Sequence, residues 1–178
     1  RPELVCPIAT VHSERYGAKG AEIGLGVSGG AAPYNFLVDY LERRGLWPEA
    51  GQSLDSISAS RPDHPVAQLH NAVAATFAER DTVSLNELWE TLQKPPFGLF
   101  PSPLAITLLG VTLRDYVDGY YWRDGINTRP LDRTKLANLI NAIMRGNQQV
   151  TLTKSTPEAR DFCAVLVDGF ALNPEESK

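Results

Sequence analysis

Cysteine is scarce in this chain: Cys6 and Cys163 are the only two among 178 residues, and they stand near opposite ends. So sparse a pair builds no disulfide framework and reads as two free thiols in a reducing compartment, which predicts a cytoplasmic protein. Long apolar runs are missing too. The best candidate, residues 104–111, is interrupted by Thr107 and Gly110 and falls far short of the roughly 18 residues a membrane span needs, so no membrane partner is expected. No basic stretch followed by an apolar one opens the sequence, which argues against a secretory signal. A basic excess is absent as well. Lys and Arg number 17 against 21 Asp and Glu, a net charge of −4, and no basic cluster exceeds Arg43-Arg44. Duplex binding draws most of its affinity from neutralised phosphates, so this balance does not favour DNA. The chain starts at Arg1 and holds one methionine, Met144, as expected of a piece of a longer protein.

What is present is ordinary globular material. Apolar residues make up 43 % and charged residues 21 %, enough for a buried core in one domain or two small ones. Helical periodicity dominates. Tyr34, Leu37, Val38 and Leu41 recur at helical spacing after Pro33 and stop at Gly45. Val66, Leu69, Val73 and Phe77 form a second stripe, from a helix opening near residues 63–65. Ser84 with Glu87 makes a capping box ahead of Leu85, Leu88, Trp89 and Leu92, and Pro95-Pro96 ends that helix. Ser102 and Pro103 start another, apolar around most of its circumference and therefore predicted to be the central, most buried one. Asp132 caps a helix whose Leu136, Leu139, Ile140 and Ile143 face inward up to Gly146, and Thr156-Pro157 opens a last one.

Two short stretches read as strands, residues 120–123 and 148–154, able to pair as a ribbon. The predicted fold class is therefore mainly α with a small two-stranded β ribbon, a helical bundle with a winged-helix-like C-terminal core as the specific candidate. Residues 1–30, rich in glycine, read as loops with one short element, and residues 46–62 as a loop separating portion 1–62 from a helical core at 63–172; residues 173–178 form a frayed tail.

Chemistry-bearing patterns are few. Gly24, Gly26 and Gly29 match the spacing of a dinucleotide loop, but no lysine follows as in a phosphate-binding P-loop, and no strand–helix–strand unit with an acidic partner surrounds it. A flexible loop leading into a helix is the reading preferred. His12, His64 and His70 lack the three- or four-residue spacing that puts two ligands on one helical face, so no metal or other cofactor is expected. Ser28 or Ser102 with a histidine and an aspartate could formally make a triad, although neither lies in a nucleophile turn. Asp115, Asp118 and Asp124 near Tyr120, Tyr121 and Trp122 imitate a carbohydrate site, yet turn aspartates cap backbone and strand aromatics usually fill cores. The candidate contact set for a partner or nucleic acid is Arg114, Tyr120, Trp122, Arg123 and Arg129, aromatics for stacking beside cations for phosphate.

The run Leu92-Gln93-Lys94-Pro95-Pro96-Phe97-Gly98-Leu99, followed by the apolar helix that ends in Arg114-Asp115-Tyr116, resembles a non-ATPase segment of large bacterial P-loop ATP-binding proteins of the phage-exclusion (BREX) type and their relatives. In those proteins a PPFGL or PPYGL turn joins two helices beyond the P-loop domain. The resemblance spans about residues 22–170 and rests on structural motifs. It implies a non-catalytic helical scaffold or interaction module whose partners are other domains of its parent chain or other protein subunits. A winged-helix-like nucleic-acid binder is the alternative, and an unrecognised hydrolase the third reading.

Overall fold

The computed structural model describes residues 14–28, 34–48, 53–125 and 127–156. Cys6, Cys163, His12, Pro33, the helix expected after Pro157 and the tail at 173–178 lie outside the described residues. The element order is α1 Glu14–Gly24, α2 Tyr34–Arg43, α3 Asp55–Ser60, α4 Pro65–Glu79, β1 Thr82–Ser84, α5 Leu85–Gln93 and α6 Pro103–Thr112. A 3-10 turn Arg114–Tyr116 then leads to β2 Tyr120–Asp124, β3 Asn127–Pro130, α7 Arg133–Met144 and β4 Thr151–Lys154.

The helix starts follow the expected chemistry. Ser84, Ser102 and Asp132 each accept a hydrogen bond from the backbone N–H three residues on, and each satisfies a donor that the first helical turn leaves orphaned. The Glu87 carboxylate lies 3.7 Å from Arg80. His64 caps α4, its Nδ1 accepting from the Val66 N–H at 3.2 Å. The stripes predicted for α4, α5 and α7 are all buried, and all ten residues of α6 are buried. A helix without a polar face needs cover on every side, and α1, α4 and α7 supply it.

Three expectations need correction. The glycine-rich start carries a full helix, α1, because its small residues let two backbones meet. A Cβ placed on Gly24 would lie 2.2 Å from the Thr107 carbonyl oxygen, and one on Gly110 would lie 2.6 Å from that of Ala21. Glycine here serves close helix packing, not loop freedom. The segment read as a loop at 46–62 contains α3, a six-residue helix too short to show periodicity. One continuous core, running from Ala21 through Leu54 to Leu152, crosses that segment.

The ribbon is, thirdly, part of a four-stranded antiparallel sheet in the order β1-β4-β2-β3. The anticipated pairing of β2 with β4 is present, with Tyr121 opposite Thr153 and Trp122 opposite Leu152. β1 and β3, three and four residues long, flank it. β1 is too short to show a period of two, and β3, Asn127–Pro130, has no apolar residue to alternate. Val83, Leu152 and Trp122 form the buried row of one sheet face. Asn86 ties α5 to the segment leading into β4: its Nδ2 donates to the Gln148 carbonyl and its Oδ1 accepts from the Val150 N–H, both at 2.8 Å. Among the described residues no helix is long and apolar enough to cross a membrane.

Candidate functional site

The polar side chains that meet in space gather around the 3-10 turn after α6, where the end of α1 and the starts of α3 and α7 come close. Arg114, the first residue of that turn, is 5 % exposed and donates through Nε to the Gly24 carbonyl at 2.6 Å. Arg133, the first residue of α7, donates to the Leu25 carbonyl at 3.3 Å. Two guanidinium groups therefore satisfy the carbonyls at the C-terminal end of α1, where the helix dipole is negative. Burial, reinforced by the neighbouring Arg133 charge, lowers the Arg114 pKa from its ordinary value. Of the stretch 24–30 read as a loop leading into a helix, Gly24 closes α1 and residues 25–28 form a turn after it, while residues 29 and 30 lie outside the described residues. Gly24 and Gly26 sit at a helix end that offers carbonyls to cations, the opposite polarity from a phosphate cradle.

Beside the arginines lies a second group. Asp55, at the start of α3, accepts from or pairs with His70 of α4, Oδ1 to Nε2 at 2.8 Å. Ser53 donates its hydroxyl to the other Asp55 oxygen at 2.8 Å. Asp115 completes the group, and the ligating atoms of Asp55, His70 and Asp115 lie within 4.8 Å of one another. The His70 hydrogen bond, helped by Ser53, holds the Asp55 carboxyl below its ordinary pKa. Burial around its carboxyl and the nearby Asp55 charge push Asp115 up, although the residue as a whole is exposed. His70 itself is 2 % exposed, and its Nδ1 is buried with no hydrogen-bond partner. With Nε2 committed to Asp55 and Nδ1 enclosed, the ring has no nitrogen free to take a proton from a substrate in this arrangement. Ser53 faces the carboxylate and not the imidazole, so the three do not form a nucleophile–base–orienter relay. Ser28 donates to Glu22 at 3.2 Å and Ser102 caps α6, so neither triad serine meets a histidine in these contacts.

The predicted contact set is divided by the fold. Tyr120 and Trp122 are only 8 % and 6 % exposed. Tyr120 meets Phe77 and Tyr116 edge-on, and those two rings stack at 3.8 Å. Trp122 is covered by the Lys135 ammonium, 4.0 Å above its ring. Neither ring can stack on a base or a sugar without opening the core, and the Arg114 Nε is turned to the end of α1. Tyr120 and Trp122 thus leave the candidate surface, and Arg114 reaches solvent only where it lines a cleft beside α1. Arg123 and Arg129 remain exposed on the β2–β3 hairpin, where Arg123 Nε donates to the Gly125 carbonyl at 2.7 Å and orders the turn. Asp115 finds Asp55 and His70, and Asp118 is exposed in the turn before β2.

A cleft of about 480 Å³ opens between the end of α1, α2 and Trp47, with Arg114 among its lining residues and Asp39 and Glu42 among the others. Those carboxylates oppose a phosphate-bearing ligand. The chain matches no family model, no curated protein and no solved structure. On the outward face of α2, sequence reading missed a further feature. Phe36 is 58 % exposed, beside Asp39, Tyr40, Arg43 and Arg44 in a shallow groove, and the Arg44 guanidinium lies 4.5 Å from the Tyr40 ring centroid. The signal was present in the sequence, since Phe36 falls outside the Tyr34, Leu37 and Leu41 stripe.

Proposed function

We propose that this chain is a non-catalytic helical interaction module of a larger P-loop ATP-binding protein, of the kind found in bacterial defence systems, and that it docks on other domains of its parent through the outward face of α2. The observation that carries the reading is Phe36, a large apolar ring left in solvent beside Tyr40 and two arginines on a helix whose other face is buried. An aromatic–arginine patch is the composition that interface hot spots favour, and Arg43 and Arg44 suit an acidic partner surface. The buried polar groups support the same view: Arg114 and Ser102 serve helix ends, and His70 faces Asp55.

The test pairs this chain with the separately produced remainder of its parent protein. Association is expected, and Phe36→Asp should weaken it about 10- to 100-fold, the equivalent of one buried aromatic ring. Unchanged affinity in Phe36→Asp overturns the docking face. Stabilisation of the chain by millimolar ATP with magnesium in a thermal-shift titration counts against the accessory role.

The order of elements favours a second reading. The run α4, β1, α5, α6, β2 and β4, with β4 lying between β1 and β2, follows the order of a winged helix, with β3 and α7 inserted before the last strand. In that arrangement α6 would be the helix presented to the major groove. It carries no charge and no exposed residue, so contact would fall to Arg123 and Arg129 on the hairpin. Salt-dependent duplex binding lost in an Arg123→Ala/Arg129→Ala variant is the expected signature, and no binding at low salt removes this reading.

A further inference from the structure

Asp55, His70 and Asp115 come from α3, α4 and the turn after α6, and only the tertiary fold brings them together. We propose that they form a divalent-cation site, with His70 Nε2 and one carboxylate oxygen from each aspartate as ligands and water in the remaining positions. Three observations carry it. The donor atoms lie within 4.8 Å of one another, with Asp55 and His70 already at 2.8 Å. Bonds of about 2.0–2.2 Å set donors roughly 3–3.5 Å apart around an ion, so a modest turn of the exposed Asp115 side chain closes the set. The His70 ring, 2 % exposed, presents Nε2 to the group at 2.8 Å from Asp55 while its other nitrogen meets no protein partner, so burial and the Asp55 contact hold the ring in a ligating pose. The open side of the group belongs to the two exposed aspartates, which leaves an ion a path from solvent.

One imidazole with two carboxylates suits zinc or manganese, because the nitrogen ligand disfavours magnesium and calcium. Binding requires the proton on Nε2 to leave and one on Nδ1 to be kept. Nδ1 has no acceptor to receive a hydrogen bond, and missing support of that kind costs about 10- to 100-fold in affinity. The site is therefore weaker than a structural zinc site. Arg114 and Arg133 stand near Asp115, with Arg114 Nε turned to the Gly24 carbonyl and one Arg133 donor to the Leu25 carbonyl.

The experiment is calorimetric titration of the untagged, chelator-treated full chain with zinc chloride and, separately, manganese chloride. The expected result is one ion per chain, with Asp55→Asn and Asp115→Asn each weakening binding at least about tenfold while circular dichroism stays unchanged. Both substitutions are at exposed residues, so neither depends on the buried His70 tolerating replacement. No saturable binding of either ion, or binding that survives either substitution at full strength, overturns the site. Loss of ion binding leaves the Phe36 docking test untouched, so the two proposals fail separately.

Discussion

Replacing Gly110 by alanine reverses an ordinary helix rule. Alanine is preferred over glycine inside a helix by about 0.8–1 kcal/mol, so an isolated α6 would gain from the change. In the fold, the new Cβ would stand 2.6 Å from the Ala21 carbonyl oxygen and 3.0 Å from the Gly24 Cα. Both are backbone atoms, and no rotamer can move them. Restoring an ordinary 3.4 Å contact requires α1 to withdraw by about 0.8 Å, the difference between 3.4 and 2.6. A gap of that size forfeits about a quarter to a half of the dispersion attraction across it. Ile23 on α1 and Leu25 just past its end, both buried, contribute about 3–6 kcal/mol together by burial, so the loss is about 1–3 kcal/mol before strain. Overpacking adds a similar amount, and the propensity gain subtracts about 1. The net expectation is a destabilisation of about 1–5 kcal/mol, or roughly 2–20 °C in Tm for a chain of this size. Urea unfolding followed by tryptophan fluorescence measures it. A Gly110→Ala protein as stable as the parent, or more so, refutes the close crossing of α1 and α6. Gly24→Ala meets the Thr107 carbonyl at 2.2 Å and should cost at least as much, while the double variant costs less than the sum because both relieve one seam.

Two further measurements test other joints. Asn86→Ala removes two hydrogen bonds that fasten the segment leading into β4 to α5, one of them to the N–H of buried Val150, and should cost about 1–3 kcal/mol in denaturant unfolding; an unchanged midpoint would contradict that role. Burial, with help from the Asp115 and Tyr120 charges, pushes the Tyr116 pKa up to about 12 from 10.0. The folded state holds this proton more tightly than the unfolded chain does. The stability it contributes is complete below pH 10 and is lost as pH rises through 12. Tyr116→Phe keeps the ring on Phe77 and should flatten the alkaline profile by on the order of 1–2 kcal/mol, allowing for partial exposure. Coincident profiles would exclude Tyr116 as a source of alkaline instability.

The elements that could be read from the residues are those whose signal is local. Ser84, Ser102 and Asp132 announce helix starts because a cap is a contact between residues three apart. The apolar circumference of α6 announces a central position because no polar face exists to show to water. The alternation around Leu152 announces a strand, and the aromatic run at residues 120–123 its partner.

What the tertiary structure decided involves residues far apart in the chain. Glycines at 24 and 110 read as a loop residue and a break in an apolar run until they face each other, because close packing is a property of two backbones and not of either alone. Tyr120, Trp122 and Arg114 had the composition of a binding surface, yet a residue type does not state its direction, and the core absorbed all three. The spacing of His64 and His70 argued against a metal ligand pair. The fold instead gathered His70 with carboxylates 15 residues before it and 45 after, at 55 and 115, a grouping that no one-dimensional pattern encodes. Helices and their caps were determined along the chain by local hydrogen bonding and periodicity; the sites were decided by packing, which alone sets which distant side chains share a dielectric and a distance.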